Sequence, residues 1–443
     1  MRDPDILVIG GGPAGMSAAL EAARSGLAVE LVEQRESLGG AIYRQPVEGV
    51  PAIAQSAGAR GRWEALSQAF RNAAIPVRFG SVFLGVDGHG YVLVEDRQKG
   101  MVECLSPRAV VLATGAVEHV HPRPGWQFAG VSTAGGLQVM MKETGTAPRG
   151  SVLLAGSGPL LIAVAAQMAR LGNPPLAIVE SGDPYRRILP GLGMLGLPKL
   201  LAEALGYLKD IHLHRIPWIR GSRLVSIERE EGQFSAVVRT ADGKQRIFVC
   251  DRIGLHDGIR SNDYGLPLAS SETAADPVIV RAGDCREALG AIAAEADGRR
   301  AGRLAIQRVS ASAAGDMAQI ERQRRAQALL SKLFAPLDDR SALDELGDDT
   351  LLCRCEGKTV GDLRNLCQRP DSLTGREVKH NGRFAMGACQ GRYCAANTAE
   401  LMARFKPEAP APSAADLTGR RWPVRPVSIG ALVRAASRDN DTQ

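Results

Sequence analysis

Four cysteines in the carboxyl-terminal part of the chain form two close pairs. Cys353 and Cys355 are separated by one residue, and Cys389 and Cys394 by four. Four thiolates in two such pairs suit either a zinc ion or an iron–sulfur cluster. Glycine and basic residues surround both pairs, and their N–H groups and positive charge would stabilise an anionic cluster: Gly357, Lys358, Gly382, Arg383, Gly387, Gly391 and Arg392.

A glycine-rich loop near the start of the chain has the spacing of a dinucleotide-binding turn. Gly10, Gly12 and Gly15 form G-x-G-x-x-G directly after the strand-length hydrophobic run Ile6–Ile9. The first glycine permits a tight turn, and the second lets a pyrophosphate approach the backbone. The third lets the following helix pack closely on the strand.

The helix and strand after this loop complete the dinucleotide pattern. Pro13 and Ala14 open the predicted helix, whose N-terminal N–H groups and partial positive charge favour a phosphate. Glu33 follows the second predicted strand, Ala28–Val32, where its carboxylate can accept hydrogen bonds from both hydroxyls of an adenosine ribose. This order predicts an adenine dinucleotide; a glycine turn that merely joins a strand to a helix is the alternative.

Two short motifs further along the chain resemble those of a known flavoprotein family. Thr114 and Gly115 follow the predicted strand Ala109–Ala113, and Gly283 and Asp284 follow another strand much later. In this order, the motifs resemble the two-dinucleotide-domain flavoproteins, which include glutathione reductase and thioredoxin reductase. The resemblance implies that the N-terminal loop binds FAD and that Asp284 bonds the ribityl or phosphate portion of the flavin.

The same resemblance completes the set of expected cofactor residues. Leu38-Gly39-Gly40 resembles the flavin-side loop of the family, and Arg35 is placed to lie along the adenine. The predicted FAD-binding residues are therefore Gly10, Gly12, Pro13, Ala14, Gly15, Glu33, Gln34, Arg35, Gly40, Thr114, Gly115, Gly283 and Asp284.

A second glycine loop, Gly156-Ser157-Gly158-Pro159-Leu160-Leu161, repeats the turn with its third glycine replaced by Leu161. The helix cannot approach the strand as closely there, so the site is degenerate. Glu180 ends the next predicted strand, and an acid at that position disfavours the 2′-phosphate of NADP. NAD, another adenine nucleotide and a vestigial fold all stay open for this unit.

No catalytic residue is predicted. The sequence has no Ser–His–Asp order and no carboxylate pair in a motif. Disulfide reductases of the flavoprotein family need two neighbouring cysteines beside the flavin, whereas Cys104, Cys250 and Cys285 are isolated and predicted to be inert. The H-x-H pairs beginning at His119 and His212 are interpreted as surface or strand histidines.

The cysteine spacing resembles the bacterioferritin-associated-ferredoxin domain, a small helical module. The resemblance implies a 2Fe–2S cluster on Cys353, Cys355, Cys389 and Cys394, although that domain ends in C-x2-C where this chain has C-x4-C. A cluster would also explain why the module accompanies a flavin, because a flavin and a cluster together convert two-electron into one-electron transfer. Thr359 is predicted as the N-cap of its first helix.

The whole chain resembles the larger α subunits of heteromeric amine and amino-acid dehydrogenases. The motifs that carry this resemblance are the flavoprotein loops, Pro124-Gly125-Trp126 and the Cys-Gln-Gly-Arg-x-Cys run that ends at Cys394. That group includes opine oxidases, D-hydroxyproline and proline dehydrogenases, and the middle subunit of hydrogen cyanide synthase.

The resemblance implies a division of labour. A D-amino-acid-oxidase-like β subunit oxidises the C–N bond of an amino acid or opine-like secondary amine, and the electrons pass to the α subunit. Further candidates are an FMN at an interface between subunits and a small ferredoxin-like subunit. Two alternatives stay open: a stand-alone NADH-dependent reductase that passes electrons through its own cluster, and a non-catalytic scaffold.

Length and composition limit the class of protein to which these sites belong. A chain of 443 residues and 47.0 kDa holds about three domains. With 45% hydrophobic and 23% charged residues it is an ordinary globular protein, and 4% aromatics with a net charge of +6 argue against a nucleic-acid partner. No signal peptide is predicted. No membrane span is predicted either, because the uncharged stretch Val152–Ala169 contains a glycine turn. We therefore expect a cytoplasmic protein with at most peripheral membrane association.

The predicted architecture is α/β, a two-dinucleotide-binding-domain flavoprotein with a small helical C-terminal iron–sulfur domain. The predicted boundaries are a discontinuous FAD-binding domain (1–118 and 252–310), a degenerate NAD-binding-like domain (119–251), a helical and acidic linker (311–349), a 2Fe–2S domain (350–405) and an extended Pro/Arg-rich tail (406–443).

Overall fold

The computed structural model describes residues 3–267, 277–310, 317–337, 342–369, 373–419 and 423–440. Its strands are β1 Ile6–Ile9, β2 Val29–Val32, β3 Val77–Arg78, β4 Ser81–Val86, β5 Val92–Asp96, β6 Met101–Leu105, β7 Ala109–Leu112, β8 Ala116–Glu118, β9 Val131–Thr133, β10 Val152–Gly156, β11 Ala177–Glu180, β12 Trp218–Arg220, β13 Arg223–Glu230, β14 Gln233–Arg239, β15 Gln245–Cys250, β16 Arg252–His256, β17 Ile259–Ser261, β18 Val278–Arg281, β19 Leu351–Cys353 and β20 Lys358–Thr359.

Its helices are α1 Pro13–Ala23, α2 Ala57–Ala73, α3 Ala134–Thr144, α4 Pro159–Arg170, α5 Ile188–Gly193, α6 Pro198–Leu213, α7 Ala291–Ser310, α8 Ala318–Leu333, α9 Val360–Cys367, α10 Gly375–Gly382, α11 Ala395–Phe405, α12 Ala414–Thr418 and α13 Ile429–Asn440. Short 3₁₀ turns span Pro184–Arg186, Met194–Gly196 and Gly283–Cys285.

The first sheet carries the N-terminal glycine loop. Its strands pair in parallel in the order β18-β7-β1-β2-β3, and the hydrophobic runs of β1 and β7 are completely buried. Helices α1 and α7 pack against each other unusually closely. A Cβ atom on Gly298 or Gly302 of α7 would lie 2.2 or 2.7 Å from the carbonyl oxygen of Ala14 or Ala18, so glycine is what permits this contact.

The second sheet repeats this plan in the order β12-β11-β10-β16-β9, again in parallel. The uncharged stretch Val152–Ala169 forms β10, a glycine turn and most of α4, which confirms the strand–turn–helix interpretation. Strand β16 pairs with β10, so the second unit continues to His256 and the boundary predicted at residue 252 is one strand too early. The antiparallel ribbon of β8 and β17 joins the two units.

Two antiparallel sheets extend the units. Strands β4, β5 and β6 form one, and β13, β14 and β15 form the other. The sequence predicts β13 and β14 with a turn at Glu231-Gly232, and both residues of that turn take positive φ values.

The cysteine-bearing part of the chain is a separate helical unit with its own core. Helices α9, α10 and α11 and the ribbon of β19 and β20 enclose Leu352, Leu363 and Phe384. Thr359 caps α9 as predicted, because its hydroxyl accepts a hydrogen bond from the Asp362 N–H at 3.1 Å and the Asp362 carboxylate accepts one from the Thr359 N–H at 3.0 Å.

Parts of the predicted linker and tail differ from expectation. The acidic part of the linker is expected to be exposed, but its Leu343 is 3% exposed and belongs to the core of the cysteine unit. The tail is not extended throughout, because α13 is a helix that packs through Ala431 against Val82, Leu84 and Val102 of the β4-β5-β6 sheet. Arg420, Arg421 and Trp422 lie outside the described residues.

Within the described ranges, no single helix has both the length and the apolar composition of a membrane span. Residues Ile188–Gly196 and Pro198–Leu213 pass that test only when taken together, and they are bent by 119° relative to each other.

Candidate functional site

Three loops meet at one edge of the first sheet. The glycine loop follows β1, the Thr114-Gly115 turn follows β7, and the Gly283-Asp284 turn follows β18. These strands are parallel neighbours in the order β18-β7-β1, so their carboxyl ends lie side by side. In open α/β sheets this edge is where ligands bind.

Two glycines of the first loop are required by the fold itself. Gly10 has a φ of +105°, and a Cβ atom there would lie 2.5 Å from the carbonyl oxygen of Ala113. A Cβ atom on Gly15 would lie 1.8 Å from the carbonyl oxygen of Gly10. These positions hold the loop tightly between β1, β7 and α1, as the spacing predicts.

Gly12 differs because it borders an open groove. The nearest atom to a Cβ on Gly12 would be the Cα of Gly40, at 3.7 Å. Gly12 is also the N-cap of α1, no side chain caps that end of the helix, and its first turn has no acidic residue. Gly40 thus packs against Gly12, and the groove over Gly12 and the start of α1 at Pro13 and Ala14 fits a pyrophosphate.

Glu33 lies beside this groove, and its side chain is mostly buried. Its carboxylate accepts hydrogen bonds from the backbone N–H of Gly11 at 2.7 Å and of Arg35 at 3.0 Å. Burial raises the pKa of Glu33, against the opposing effect of these bonds. Each oxygen accepts one of the two bonds and keeps a further lone pair, as the expected contact with ribose hydroxyls requires.

Two buried cations that the motifs did not reveal lie near the loop that contains Gly40. Arg44 is 8% exposed, and its Nε lies 3.5 Å from a Glu143 carboxylate oxygen, which also accepts a hydrogen bond from Arg35 at 2.8 Å. Lys142 of α3 is 3% exposed and donates to the Ala41 and Ile42 carbonyl oxygens, and burial lowers its pKa to about 8. Both cations adjoin the segment that follows Gly40, although neither belongs to a recognisable motif.

The turn after β7 is fixed by a reciprocal pair of hydrogen bonds. Thr114 Oγ1 donates to the Asn262 carbonyl oxygen at 2.8 Å, and Asn262 Nδ2 donates to the Thr114 carbonyl oxygen at 3.0 Å. The Asn262 N–H also donates to the Gly115 carbonyl oxygen at 3.0 Å. Cys285, predicted to be isolated, is buried with its sulfur 3.1 Å from Thr114 Oγ1, and burial raises the pKa of its thiol.

The buried carboxylate of Asp297 fixes the turn after β18. Gly283 donates its N–H to Asp297 at 2.7 Å, and Asp297 is paired with Arg286 and Arg300. Asp284 Oδ1 accepts the backbone N–H groups of Leu289 and Gly290, both at 3.0 Å. Burial raises the pKa of Asp284. Because both bonds use Oδ1, Oδ2 is the oxygen suited to a ligand hydroxyl.

In the second unit, the glycine loop forms hydrogen bonds with a buried side chain of the same unit. Glu180 is fully buried and accepts hydrogen bonds from the Gly158 and Gly182 N–H groups, each at 3.1 Å. Burial raises the pKa of Glu180 to about 8. Glu180 thus accepts the same kind of backbone bonds as Glu33, one on each oxygen. It differs in being 0% exposed, so its carboxylate does not face a ligand.

Residues 334–337, which we call the linker strap, lie over this loop. Ser157 Oγ donates to the Phe334 carbonyl oxygen at 2.9 Å, and the Leu337 N–H donates to the Ser181 carbonyl oxygen at 3.2 Å. Gly182 forms a β-bridge with Pro336. The strap thus crosses the carboxyl ends of β10 and β11, where the adenosine half of a dinucleotide lies in this type of fold.

The four predicted metal ligands come together as two thiol pairs. Cys353 is hydrogen-bonded to Cys394, and Cys355 to Cys389. The bond from Cys394, with backbone N–H donors, lowers the pKa of Cys353 to about 6, whereas the same bond raises the pKa of Cys394. Burial raises the pKa of Cys355, and the proximity of Cys389 and Cys353 raises it further.

The loop around the pairs has an uncommon backbone. Arg383, Ala385 and Gln390 all take positive φ values between 57° and 62° without being glycine, and such strain is typical of functional loops. The Ala385 N–H donates to the sulfurs of both Cys353 and Cys394. Within the described ranges, no group of three or more His, Cys, Asp or Glu side chains is arranged to hold a metal ion, so the four-cysteine centre stays a prediction.

The cysteine unit docks directly on the flavoprotein body. The indole Nε1 of Trp126 donates to the Leu351 carbonyl oxygen at 2.7 Å, and Asn397 Nδ2 donates to the Val120 carbonyl oxygen at 3.0 Å. Trp126 is 1% exposed, which gives the Pro-Gly-Trp motif a structural role at this junction.

A cavity of about 330 Å³ separates the two candidate sites. The first unit contributes Gln34 and Asn262, the cysteine unit contributes Cys389 and Arg392, and the tail contributes Arg425. Asn262 is bonded to Thr114 of the first site, and Cys389 belongs to the second. One cavity therefore borders both Asn262, which fixes the Thr114 turn, and Cys389 of one thiol pair.

The histidine pairs add no further site within the described part of the chain. The rings of His119 and His121 meet edge to face with centroids 4.6 Å apart, and burial lowers the pKa of His119 to about 4. His212 and His214 lie at the end of α6, not on a strand.

Two parallel sheets with corresponding glycine loops, and three loops that converge at one edge of the first, define a two-dinucleotide-domain oxidoreductase of the flavoprotein type. The family model described as pyridine nucleotide-disulphide oxidoreductase matches residues 4–286. The chain belongs to the pyridine nucleotide-disulphide oxidoreductase family.

Relatives of similar length cover almost the whole chain. An opine oxidase subunit of Agrobacterium tumefaciens (strain Ach5) is 32% identical, over 97% of this chain and 91% of the relative. Hydrogen cyanide synthase subunit HcnB of Pseudomonas protegens is 29% identical, over 88% of this chain and 89% of the relative. Among solved structures, L-proline dehydrogenase from P. horikoshii matches with a TM-score of 0.64 and 19% identity, over 97% of this chain and 79% of that one.

Proposed function

We propose that the chain is an FAD- and 2Fe–2S-containing electron-transfer subunit of a heteromeric dehydrogenase. Its partner would be a D-amino-acid-oxidase-like flavoprotein that oxidises the C–N bond of an amino acid or opine-like secondary amine. The relatives that cover most of the chain are named as subunits of an opine oxidase and of hydrogen cyanide synthase, which supports both the heteromeric state and the amine substrate class.

The first site has the features that FAD requires. The groove over Gly12 and the start of α1 would take the pyrophosphate, Glu33 the adenosine ribose, and Asp284 the ribityl chain. Arg44 and Lys142 supply positive charge beside the groove. These residues bind and orient the cofactor, and none of them is needed as an acid or a nucleophile.

The cysteine pairs have the chemistry of an iron–sulfur site. The lowered pKa of Cys353 favours its thiolate, which is the form that ligates a metal. The Ala385 N–H faces two sulfurs, and hydrogen bonds to sulfur are among the factors that set the potential of a cluster. When bound, the flavin would exchange electrons in twos and the cluster one at a time.

The single observation that carries the proposal is the position of the 330 Å³ cavity between the two sites. A cysteine unit that only stabilised the fold could dock anywhere on the body. Here it docks so that Cys389 borders the same cavity as Asn262, which fixes the Thr114 turn. An FMN at an interface between subunits stays a prediction.

The NADH-dependent reductase is the alternative, and the second unit argues against it. Its third glycine is replaced by Leu161, Glu180 is fully buried, and the linker strap crosses the place of the adenosine. Electrons would then enter from a protein partner.

A reconstitution assay tests the proposal. The purified chain, loaded with flavin and cluster, is expected to oxidise neither proline nor opine-type amines with a dye acceptor. Addition of the D-amino-acid-oxidase-like partner should start dye reduction that requires both chains. The same partner combined with the Cys389→Ala variant of this chain is the matched control, and its dye reduction should be lower. Steady amine oxidation by the isolated chain would overturn the proposal.

A further inference from the structure

An apolar elbow, residues 184–199, projects from the second unit. It comprises the 3₁₀ turn Pro184–Arg186, helix α5, the turn Met194–Gly196 and the first residues of α6. Four of its large apolar side chains face outward: Ile188 is 71% exposed, Leu189 80%, Leu192 57% and Leu195 67%. Their spacing of one, three and three residues puts them on one side of the helical turns.

The elbow is anchored from its opposite side. Met194 is 5% exposed, and Gly193 packs so closely on α8 that a Cβ atom there would lie 2.8 Å from Leu329. The outward leucines are therefore presented by a fixed backbone. A contiguous exposed patch of this kind marks an interaction surface.

The charge around the patch is of one sign. Arg186, Arg187 and Lys199 lie within the elbow, and residues 184–202 contain no Asp or Glu. The preceding acid, Asp183, is buried and accepts a hydrogen bond from the Tyr185 N–H, while its other oxygen lies 3.3 Å from Arg186. Tyr185 itself is 61% exposed, and the guanidinium carbon of Arg220 lies 4.1 Å from the centre of its ring.

We propose that this elbow docks the protein on an anionic membrane surface, with the leucines at the acyl boundary and the cations among the headgroups. Leucine flanked by Lys and Arg, with an amphipathic aromatic ring, is the composition of segments that lie in the membrane interface. Lys is depleted at protein–protein interfaces whereas Arg is enriched there, so Lys199 is the cation that favours a membrane over a protein partner. The 119° bend between the elbow and the remainder of α6 suits a segment that lies on a membrane.

Vesicle co-sedimentation tests this surface. The flavin-loaded chain should bind vesicles made of equal parts phosphatidylcholine and phosphatidylglycerol. The double variant Leu189→Glu/Leu192→Glu should bind about a hundredfold more weakly, because two apolar contacts are replaced by two repelled charges. The matched control is Ile247→Glu/Val249→Glu on β15, where the side chains are 66% and 56% exposed, and it should bind like the wild type.

A charge variant keeps the test valid if the leucine variant folds poorly. Arg186→Gln/Lys199→Gln alters only exposed side chains and should bind anionic vesicles about tenfold more weakly, with less loss when salt is raised. Equal vesicle binding by all variants, or no binding by the wild type, would contradict the proposal. So would loss of the complex with a partner protein in lipid-free gel filtration of the leucine variant, since the elbow would then be a subunit interface.

Discussion

At the scale of single residues, the glycines of the first loop have two different tasks. Gly10 and Gly15 cannot carry a Cβ atom without striking backbone oxygens, so the fold requires them whether or not a ligand is bound. A Cβ atom on Gly12 would make only an ordinary contact with the Gly40 Cα, at 3.7 Å, and Gly12 borders the groove. The open space beside it serves a ligand, which makes Gly12 the position where binding can be separated from folding.

We therefore expect Gly12→Leu to fold and to lose FAD. The leucine side chain would fill the groove that the pyrophosphate needs, whereas the surrounding backbone leaves room for it. The measurement is the flavin released per protein after denaturation. Gly61→Leu on the exposed side of α2, where nothing lies within 4 Å of the added Cβ, is the control and should keep its flavin. A fully loaded Gly12→Leu protein would refute the placement.

The cysteines allow a second residue-level prediction. Cys389→Ala should abolish an iron–sulfur cluster, because three thiolates cannot complete a four-ligand site. Iron and acid-labile sulfide content, with the electron spin resonance signal after dithionite reduction, report the loss. Cys367→Ala is the control: Cys367 is buried in the α9 core, where burial raises the pKa of its thiol, and it should retain the cluster. One zinc and no iron in the wild type would defeat the prediction.

How far the sequence predicts the site depends on how local each residue's role is. Gly15 and Thr359 act within their own turn, so their spacing identifies them. Arg44 and Lys142 act through burial against segments that are distant in the chain, and no local pattern marks a buried cation.

At the scale of elements, the strap couples the linker to the second unit. A Cβ atom on Gly182 would lie 2.6 Å from the Phe334 carbonyl oxygen and 3.0 Å from that of Ala335. Both contacts are with backbone atoms, which cannot rotate away as a side chain can. The close approach of the strap to β11 thus depends on glycine at this position.

Gly182→Ala is expected to lower the thermal unfolding midpoint by displacing the strap, at a cost of about 1–3 kcal/mol, the range typical of overpacking. Gly206→Ala in α6 is the matched control, since nothing lies within 4 Å of its added Cβ and alanine favours a helix interior. Its midpoint should be unchanged or slightly higher. Equal midpoints for the two variants would show that the strap does not pack as described.

Element prediction succeeds where hydrophobic runs are continuous and fails where packing is non-local. The sequence places six strands of the parallel sheets to within one or two residues, because they are mostly buried hydrophobic runs: β1, β2, β7, β10, β11 and β18. It does not predict the other four, β3, β9, β12 and β16. The Pro and Arg content of the tail predicts an extended segment, whereas α13 is stabilised by contacts with a sheet more than 300 positions earlier in the chain. Packing against a distant sheet leaves no mark in local composition.

At the scale of the whole molecule, the two dinucleotide units have diverged in opposite directions. In the first unit, the groove that Gly12 borders is open. In the second unit, the linker strap lies over the corresponding edge of the sheet. Of the two similar units, the first is therefore the candidate cofactor site. The second instead contacts the linker strap, which precedes the cysteine unit in the chain. The direction of electron flow should follow from this asymmetry.

We expect that NADH does not reduce the flavin of the isolated chain. The linker strap crosses the carboxyl ends of β10 and β11, and Glu180 is bonded to the Gly158 and Gly182 N–H groups. A dinucleotide would have to displace the strap and break the Ser157–Phe334 bond before binding. Anaerobic stopped-flow mixing with NADH should leave the flavin absorbance unchanged, while dithionite bleaches the same sample and proves that the flavin is reducible. Bleaching at a rate that saturates with NADH concentration would show instead that the second unit is a working nicotinamide site, and the NADH-dependent reductase would then replace the partner-dependent subunit.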